Sequence, residues 1–368
     1  MHGRTSGVEN YIRSLLNAMM EVDDENTYVL FYNSKKDCSE FIGEFDGRRV
    51  KVVASAYPNK FLHLMWRFLN SPKIDRLIEK KSGKRIDVLF VPDPRPSPVS
   101  KGVRKVTTFH DLSFERYPQY FSWKSRLWFK VLHPRREVET SDRLIAVSDF
   151  TARELKDVYK VKQDKIVVIP EAPPGQLRPV IDAPELARVK SKYGLPDLFF
   201  LTFSTLEPRK NLESVMKAFS IFQKKQPLET YRLVMAGRRD SSMFGKVFLE
   251  EHPDIFQAGF IEEADKAAIY SLARGLIFVS TYEGFGLPIL EAMACGTPVI
   301  ASSVASMPEV AGEAAILVEP YDTEKIADAM ERLTHDDVAQ DFHEKGLEHV
   351  KEFSWKKAAK ATLKVLMG

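Results

Sequence analysis

Twelve short apolar runs that alternate with helical repeats are the feature that most restricts the fold of this chain. The runs are apolar on both faces, as strands of a buried parallel sheet are. We predict strands at residues 28–33, 50–55, 87–92, 105–111, 143–148, 166–171, 198–203, 232–237, 255–260, 276–281, 298–302 and 314–319. Between the runs, residues such as Val8, Ile12, Leu15 and Met19 follow the spacing of a buried helical stripe. The alternation predicts an α/β protein with two Rossmann-like, doubly wound parallel sheets facing a central cleft.

The proline-rich stretch 170–179 separates the two halves of the pattern. It has no apolar periodicity, which indicates a stiff linker between an N-terminal domain at 1–174 and a C-terminal domain at 175–352. The glycine loop of the first domain, Gly3 to Gly7, comes almost at once. A sheet of this type normally begins with a strand before that loop. We therefore expect the central strand of the N-terminal sheet to be missing from this sequence.

Composition excludes several classes of protein. The net charge is +3, with 54 basic and 51 acidic residues, which argues against a nucleic-acid partner. The two cysteines, Cys38 and Cys295, lie in different halves of the chain and do not indicate a disulfide framework. No apolar run approaches the roughly 20 residues that span a bilayer, and the N-terminus lacks a signal-peptide core. We expect a cytoplasmic protein.

The strongest chemical signal is the segment TYEGFGLPILEAMACGTPVIA at 281–301. A predicted strand ends there, Gly284 and Gly286 follow, and Pro288 suits the first turn of a helix. The free N–H groups and the positive dipole end of that helix suit a diphosphate. Glu283 precedes the helix at the strand end, and Glu291 lies about one turn inside it. A plain turn with solvated glutamates is the alternative interpretation.

This segment resembles the E-x7-E signature of glycosyltransferase family 4, a retaining family with the two-domain GT-B fold. The resemblance covers nearly the whole chain. It implies that Glu291 binds the donor ribose and that Glu283 lies near the donor sugar. The loop residues that we assign to the donor site are Gly284, Phe285, Gly286 and Leu287. The resemblance also implies that a C-terminal helix at 353–368 crosses back to the first domain.

A second signal is the pair Arg209 and Lys210, which follows a predicted strand and precedes an amphipathic helix. Two cations at a strand end suit two phosphates and the charge of a departing nucleoside diphosphate. A solvated basic turn is the alternative from composition alone. The pair resembles the R-K-N element of the family, in which Arg and Lys hold the donor diphosphate. Ser204 stands where the family usually has a glycine, and we include it among the donor-binding residues.

On the N-terminal side of the cleft, His110 and Asp111 end a predicted strand. A histidine there can orient a sugar hydroxyl or transfer a proton, whereas a structural His–Asp pair is the alternative. The resemblance places a histidine near donor sugar and acceptor, so we assign both residues to the acceptor side. Together with Glu283, Arg209 and Lys210, His110 forms the predicted catalytic group.

Three further donor contacts are predicted from strand ends and loops. The segment 3–11 resembles the glycine-rich loop of the family, in which Ser6 replaces a usual glycine and Gly7 would contact the donor. Gly237 and Phe260 end two predicted strands of the C-terminal domain, where the family contacts the nucleotide base. Ordinary strand-to-helix turns are the alternative for both.

The eight histidines are scattered and no Asp-x-Asp motif ends a strand, so we predict no metal site and no cofactor. The stretches 61–68 and 123–130 mix aromatic and basic residues. Such helices can lie on the inner face of an anionic membrane, or they can simply carry a solvated basic face.

The predicted function is transfer of a hexose, with retained anomeric configuration, from a nucleoside diphosphate sugar to a hydroxyl of a glycan or lipid-linked acceptor. The branch that the chain most resembles transfers mannose, which indicates GDP-mannose as the donor. The alternatives are another GT-B sugar-nucleotide enzyme such as an epimerase, or an inactive sugar-nucleotide-binding protein.

Overall fold

The computed structural model describes residues 7–34, 49–205, 207–226, 231–237 and 252–368. Most of the predicted glycine loop, from Gly3 to Ser6, lies outside the described residues. The strands are β1 (Tyr28–Asn33), β2 (Val50–Ser55), β3 (Val88–Val91), β4 (Arg104–Phe109), β5 (Arg143–Ala146), β6 (Ile166–Val168), β7 (Phe199–Phe203), β8 (Arg232–Ala236), β9 (Ile255–Gly259), β10 (Gly275–Phe278), β11 (Val299–Ser302) and β12 (Ile316–Val318). Every predicted strand is present, although most end earlier than predicted because their last residues turn into cleft-facing loops.

Helices follow nearly every strand. Those of the first half are α1 (Gly7–Val22), α2 (Asn59–Leu69), α3 (Ile74–Ser82), α4 (Ser113–Arg116), α5 (Trp123–Leu132), α6 (Pro134–Thr140) and α7 (Asp149–Tyr159). Those of the second half are α8 (Ala183–Tyr193), α9 (Leu212–Lys225), α10 (Lys266–Leu272), α11 (Leu287–Ala294), α12 (Met307–Ala311), α13 (Thr323–Thr334), α14 (Asp336–His349) and α15 (Trp355–Met367). The stretch 170–179, predicted as a linker, is neither helix nor strand.

The C-terminal strands form one parallel sheet in the order β12-β11-β10-β7-β8-β9. The chain runs from β7 outward to β9, then returns to the other side of β7 and continues from β10 to β12. The connections therefore diverge in opposite directions between β7 and β10. In an open parallel sheet, ligands bind at the carboxyl ends of the strands next to this switch point.

The N-terminal strands form two parallel sheets, β1-β2 and β3-β4-β5-β6, instead of the single sheet that we predicted. The same helices nevertheless cover both sheets. Phe31 of β1 and Leu89 of β3 pack against one apolar cluster with α2 and α3. Tyr28 and Phe90 pack against another, built largely on α1 and α15. Among the described residues β1 and β3 do not pair. The two sheets are joined through the helices that cover both of them.

Helix α15 packs against α1 of the first half of the chain. Ala358, Ala359 and Leu366 share an apolar cluster with Tyr11 and Leu15. The polypeptide thus returns from the second half of the chain to the first through α15.

Candidate functional site

The switch point of the C-terminal sheet holds a compact ion cluster. Arg209 and Lys210 lie in the single 3-10 turn Pro208–Lys210 that follows β7, and Glu283 follows β10. Lys210 Nζ lies 2.5 Å from Glu283 Oε1, and Arg209 donates to Glu283 Oε2. Arg209 also donates from Nε to Glu207, at 2.6 Å. Two adjacent strand ends therefore bring together residues more than 70 positions apart in the chain.

Burial makes this cluster electrostatically strong. Glu283 is only 7% exposed. Burial alone would raise its pKa, but Arg209 and Lys210 outweigh that effect and lower the pKa to about 2. Burial likewise opposes the charge of Arg209, yet Glu283, Glu207 and Asp111 raise the pKa of the guanidinium above its ordinary value. The site thus holds two cations and two carboxylates in fixed positions.

The loop 284–286 connects this cluster to α11. A Cβ atom on Gly284 would lie 1.6 Å from the main-chain oxygen of His110, so only glycine allows this close approach. The carbonyl of Gly284 accepts hydrogen bonds from Ser148 Oγ at 2.5 Å and Thr151 Oγ1 at 3.0 Å. The loop 284–286 is therefore in direct contact with the N-terminal half of the chain.

Helix α11 begins with the glycine and proline turn that its sequence predicts. Gly286 adopts φ +104° and Pro288 lies in the first turn. Phe285 is buried and its ring contacts Phe353 edge-on at 6.1 Å between centroids. Leu287 is half-buried at the start of the helix. The helix begins four residues after Glu283, and the unpaired N–H groups of a first helical turn favour negative charge.

Glu291, one turn into α11, is held by two donors from α10. Tyr270 donates its hydroxyl to Glu291 Oε2 at 2.9 Å, and Lys266 Nζ lies 3.3 Å from Oε1. Glu291 is 4% exposed, so it is not a solvated glutamate. Neither Lys266 nor Tyr270 stood out in the sequence, because their relation to Glu291 exists only after α10 and α11 pack together.

His110, at the end of β4, has both ring nitrogens engaged. Nδ1 lies 2.9 Å from Glu171 Oε1, and Nε2 lies 2.9 Å from the carbonyl oxygen of Pro92. Both partners are acceptors, so the contacts favour the cationic ring form that donates from both nitrogens. Burial opposes this charge, but Glu171 outweighs it and raises the pKa of His110. In this arrangement His110 is a positioned donor and not a free base, and Glu171 is a residue that the sequence did not single out.

Asp111 caps the following turn. Its Oδ1 accepts hydrogen bonds from Ser113 N at 2.9 Å and from Ser113 Oγ at 2.7 Å. It also contributes to the raised pKa of Arg209 across the cleft. The structural His110–Asp111 pair, which the sequence left as an alternative, does not form, since each side chain has its own partners.

The other predicted donor residues lie along the same edge of the C-terminal sheet. Ser204, Gly237 and Phe260 follow β7, β8 and β9, which are neighbours. A Cβ atom on Gly237, which has φ +136°, would lie 1.8 Å from the carbonyl oxygen of Ser204. Phe260 is half exposed beside them. Gly7 begins α1, one turn before Tyr11, whose ring contacts that of His110 edge-on at 4.6 Å.

A second contact between the halves surrounds Tyr282, the residue before Glu283. Its hydroxyl accepts a hydrogen bond from Leu112 N at 3.1 Å and donates to Glu154 at 3.3 Å. Nearby, the carboxylate of Glu309 accepts hydrogen bonds from the N–H groups of Asp149 and Phe150 at the start of α7. Such partners could not be identified from sequence, because they lie more than 120 positions apart.

Among the described residues, no group of three or more His, Cys, Asp or Glu side chains could hold a metal ion. The independence from metal that we inferred from the sequence remains a prediction. No helix in the described part of the chain is both long and apolar enough to cross a bilayer.

Glycosyltransferase family models match both halves of the chain. The model of the family described as Glycosyltransferase Family 4 matches residues 5–172, and that of Glycosyl transferases group 1 matches residues 185–349. O-antigen chain mannosyltransferase B of Escherichia coli is 33% identical over 269 residues, covering 71% of this chain and 69% of that protein. Serotype-specific mannosyltransferase WbdA of Escherichia coli is 32% identical over 61% of this chain, but the match spans only 28% of that longer protein.

Among solved structures, Anabaena Alr3699/HepE in complex with UDP-glucose superposes with a TM-score of 0.70. The match covers 100% of this chain and 97% of that one, at 15% sequence identity. At that identity, the similarity shows a shared fold.

Proposed function

The chain belongs to glycosyltransferase family 4 and has the GT-B fold, and we propose that it transfers a hexose, with retained configuration, from a nucleoside diphosphate sugar to a glycan or lipid-linked hydroxyl. The observation that carries this proposal is the ion cluster of Arg209, Lys210 and Glu283 beside the start of α11. Two buried cations and a helix N-terminus converge at the switch point, where a parallel sheet binds its ligand.

Arg209 and Lys210 bind the donor diphosphate in this proposal, and α11 adds its N–H groups. As the bond between the anomeric carbon and the diphosphate oxygen breaks, negative charge develops on the leaving group. Fixed cations stabilise that charge without reorganising at the moment of reaction. Glu283 shares both cations in the free protein, so the diphosphate competes with its carboxylate for them.

The acceptor oxygen attacks the anomeric carbon from the face that the diphosphate leaves, and its proton passes to the departing phosphate oxygen. The ring of His110, held by Glu171 and the carbonyl of Pro92, lies on the acceptor side, and Glu283 lies near the sugar. Glu291 accepts hydrogen bonds from the ribose. The enzyme contributes positioning and charge stabilisation, and the reaction needs no metal.

GDP-mannose is the proposed donor, because the similar proteins of Escherichia coli are named mannosyltransferases. UDP-glucose is the alternative, since it is the ligand of the Anabaena protein with the same fold. A thermal-shift panel of nucleoside diphosphates tests the donor site directly. Stabilisation by GDP over UDP supports mannose transfer, the reverse preference overturns the choice of donor, and no response to any nucleotide overturns the site itself.

Two further assays test the reaction. The anomeric configuration of the product, read by NMR, contradicts retention if it is inverted. Incubation of the sugar nucleotide without acceptor exposes an epimerase by a change in the sugar. Activity that is unchanged by a chelator supports a site without metal, whereas loss that added metal restores contradicts it.

We also propose that the enzyme works at a membrane surface. The support for this proposal comes from the exposed side chains of α2 and α5. Six of the fourteen large exposed apolar side chains of the described residues lie on these two helices. Phe68 is 71% and Trp123 65% exposed. The sequence left a solvated basic face as an alternative for these helices. The exposed residues of α2 are largely apolar, whereas those of α5 combine Trp123 and Leu127 with three cations.

Charge around these apolar side chains favours an anionic surface. Neither helix contains Asp or Glu, whereas together they carry the cations Lys60, Arg67, Lys124, Arg126 and Lys130. The two helices contact each other through the ring of His63, which lies 5.5 Å from that of Trp128. Apolar side chains with a basic rim bind anionic lipid through burial and attraction together.

One cavity connects this surface with the site. Its volume is about 2960 Å³, and its walls include Trp123 and Leu127 as well as His110, Asp111 and Arg209. A cavity of this size accommodates a long acceptor whose lipid end stays at the membrane while its hydroxyl reaches the donor. This geometry supports a lipid-linked acceptor.

Flotation with vesicles that contain anionic lipid tests the membrane proposal. The double substitution Phe68→Ser and Trp123→Ser should abolish flotation and leave the thermal stability unchanged. Ile181→Ser with Tyr321→Ser is the matched control, because these apolar side chains are equally exposed elsewhere. No flotation of the wild-type protein at low salt, or equal loss in both double variants, contradicts the proposal.

A further inference from the structure

Tyr270 and Lys266 of α10 hold the two oxygens of Glu291 separately. Tyr270 donates to Oε2 at 2.9 Å, and Lys266 Nζ lies 3.3 Å from Oε1. An ionised carboxylate offers about four acceptor positions, two on each oxygen. Each oxygen therefore has one donor from the protein and one position left.

Two remaining positions on two neighbouring oxygens match the two hydroxyls of a vicinal diol. We propose that Tyr270 and Lys266 are positioning residues, which fix the Glu291 carboxylate so that each oxygen accepts one hydroxyl of the donor ribose. This inference rests on the proposed function, in which Glu291 contacts the ribose. It assigns the orientation of that contact to α10.

The hydroxyl of Tyr270 cannot easily move away. Tyr270 is fully buried, and its ring stacks on Phe203 with 5.4 Å between centroids and 22° between planes. Its main-chain oxygen accepts a hydrogen bond from Thr297 Oγ1 at 2.7 Å. Burial and the carboxylate of Glu291 raise the pKa of this phenol well above its ordinary value, so it remains a donor.

Lys266 is fixed from more than one side. Its ammonium lies 3.0 Å from Glu263 as well as 3.3 Å from Glu291, and 5.6 Å from the centroid of the Phe203 ring. Burial lowers the pKa of Lys266, but the carboxylates of Glu291 and Glu263 outweigh burial and raise it. The ammonium therefore stays charged and keeps Oε1 in place.

Discrimination between ribonucleotides and deoxyribonucleotides tests the proposal. Dissociation constants are measured by calorimetry for the wild-type protein with GDP, 2′-deoxy-GDP and 3′-deoxy-GDP, or with the UDP series if UDP binds more tightly. Tyr270→Phe removes only the hydroxyl. It should reduce the preference for the ribonucleotide by about tenfold, because a loosened carboxylate no longer meets both hydroxyls. The affinity for the deoxynucleotides should stay the same.

Tyr193→Phe is the matched control, because Tyr193 also donates to a buried carboxylate, Asp265, at 2.8 Å. Lys266→Met should reduce the preference as Tyr270→Phe does, and Lys266→Arg should restore much of it. The two Lys266 variants still test the proposal if Tyr270→Phe does not fold.

Each other outcome identifies what fails. If the wild-type protein binds no nucleotide, the proposed function is wrong. If it binds ribonucleotides and deoxyribonucleotides equally, the ribose contact of Glu291 is wrong. A third outcome is that the wild-type protein prefers ribonucleotides and that Tyr270→Phe and Lys266→Met keep the full preference, or lose affinity for all nucleotides alike. In that case the two residues do not position Glu291 for the diol.

Discussion

Glu283 and Glu291 stand on either side of the start of α11, and both are almost fully buried. They differ in how their charge is compensated. Glu283 has two cations, Arg209 and Lys210, which we assign to the donor diphosphate. Glu291 has one phenol and one ammonium from α10, outside that cation pair. On this assignment, a diphosphate changes the partners of Glu283 and leaves those of Glu291 intact.

The two glutamates of one sequence motif thus have different surroundings. Glu283 belongs to an ion cluster with two cations, whereas Glu291 is a carboxylate fixed by two donors. On our assignment, the charge of Glu283 tunes the reaction, and the charge of Glu291 mainly determines how tightly the nucleotide binds.

The largest effect is expected at the cation pair. Lys210→Met removes one of the two charges that compensate both Glu283 and the leaving diphosphate. We expect kcat/KM to fall by about 10²- to 10³-fold, as for loss of a preorganised group at a developing charge. The nucleotide affinity should fall as well. Lys217→Met, at an exposed lysine of the following helix, is the control and should keep full activity. Normal activity of Lys210→Met would contradict the assignment of the cations.

A smaller loss is expected when the loop between the two glutamates is pushed away from the N-terminal half. Gly284→Ala places a methyl group where the carbonyl of His110 lies. A displacement of about 1 Å costs on the order of 10²-fold in rate. We expect kcat to fall while the nucleoside diphosphate still binds. Gly175→Ala, where nothing lies within 4 Å of the added methyl group, is the control. Equal kinetics of both variants would show that this contact does not position the loop.

The pH dependence of stability tests the ion cluster around Glu283 without a ligand. A carboxylate whose pKa is lowered in the folded state stabilises the fold above its ordinary pKa and loses this effect at lower pH. For Glu283 the loss should fall between pH 4.5 and about pH 2 and amount to about 1–3 kcal/mol. Urea unfolding of wild type and Glu283→Gln across this range measures it. Parallel curves for the two proteins would contradict the lowered pKa.

The smallest effect concerns nucleotide affinity and has opposite signs at the two positions. Glu283→Gln releases Arg209 and Lys210 for the diphosphate, so nucleoside diphosphate should bind up to about tenfold more tightly although turnover falls. Glu291→Gln weakens the ribose contact, so binding should become weaker. Calorimetry with the same nucleotide measures both. Weaker binding in both variants would remove the distinction between the two pockets.

Much of this arrangement follows from local sequence. Periodicity and the turn residues predict the twelve strands, the linker, the positions of Arg209, Lys210 and Glu283 at strand ends, and the position of Glu291 inside a helix. The resemblance to the family then names the class of chemistry. These features are readable because they depend on residues within about 20 positions of one another.

The partners of those side chains are a different matter. Four of these partners carry no local signal in the sequence: Tyr270 and Lys266 beside Glu291, Glu171 beside His110, and Glu309 at the start of α7. For α2 the sequence left open whether an aromatic or a basic face is exposed, because a helical stripe shows which residues can be buried together and not which face finds a neighbour.

What the sequence alone determined is the order of strands and helices and the chemistry available at each strand end, since both come from short-range patterns. The tertiary structure decided which of these ends meet. It divided the N-terminal strands between two sheets, paired Glu283 with its cations, fixed Glu291 with α10, and left one aromatic face open to solvent. These outcomes depend on packing between residues distant along the chain, where burial and charge compensation select among many locally acceptable arrangements.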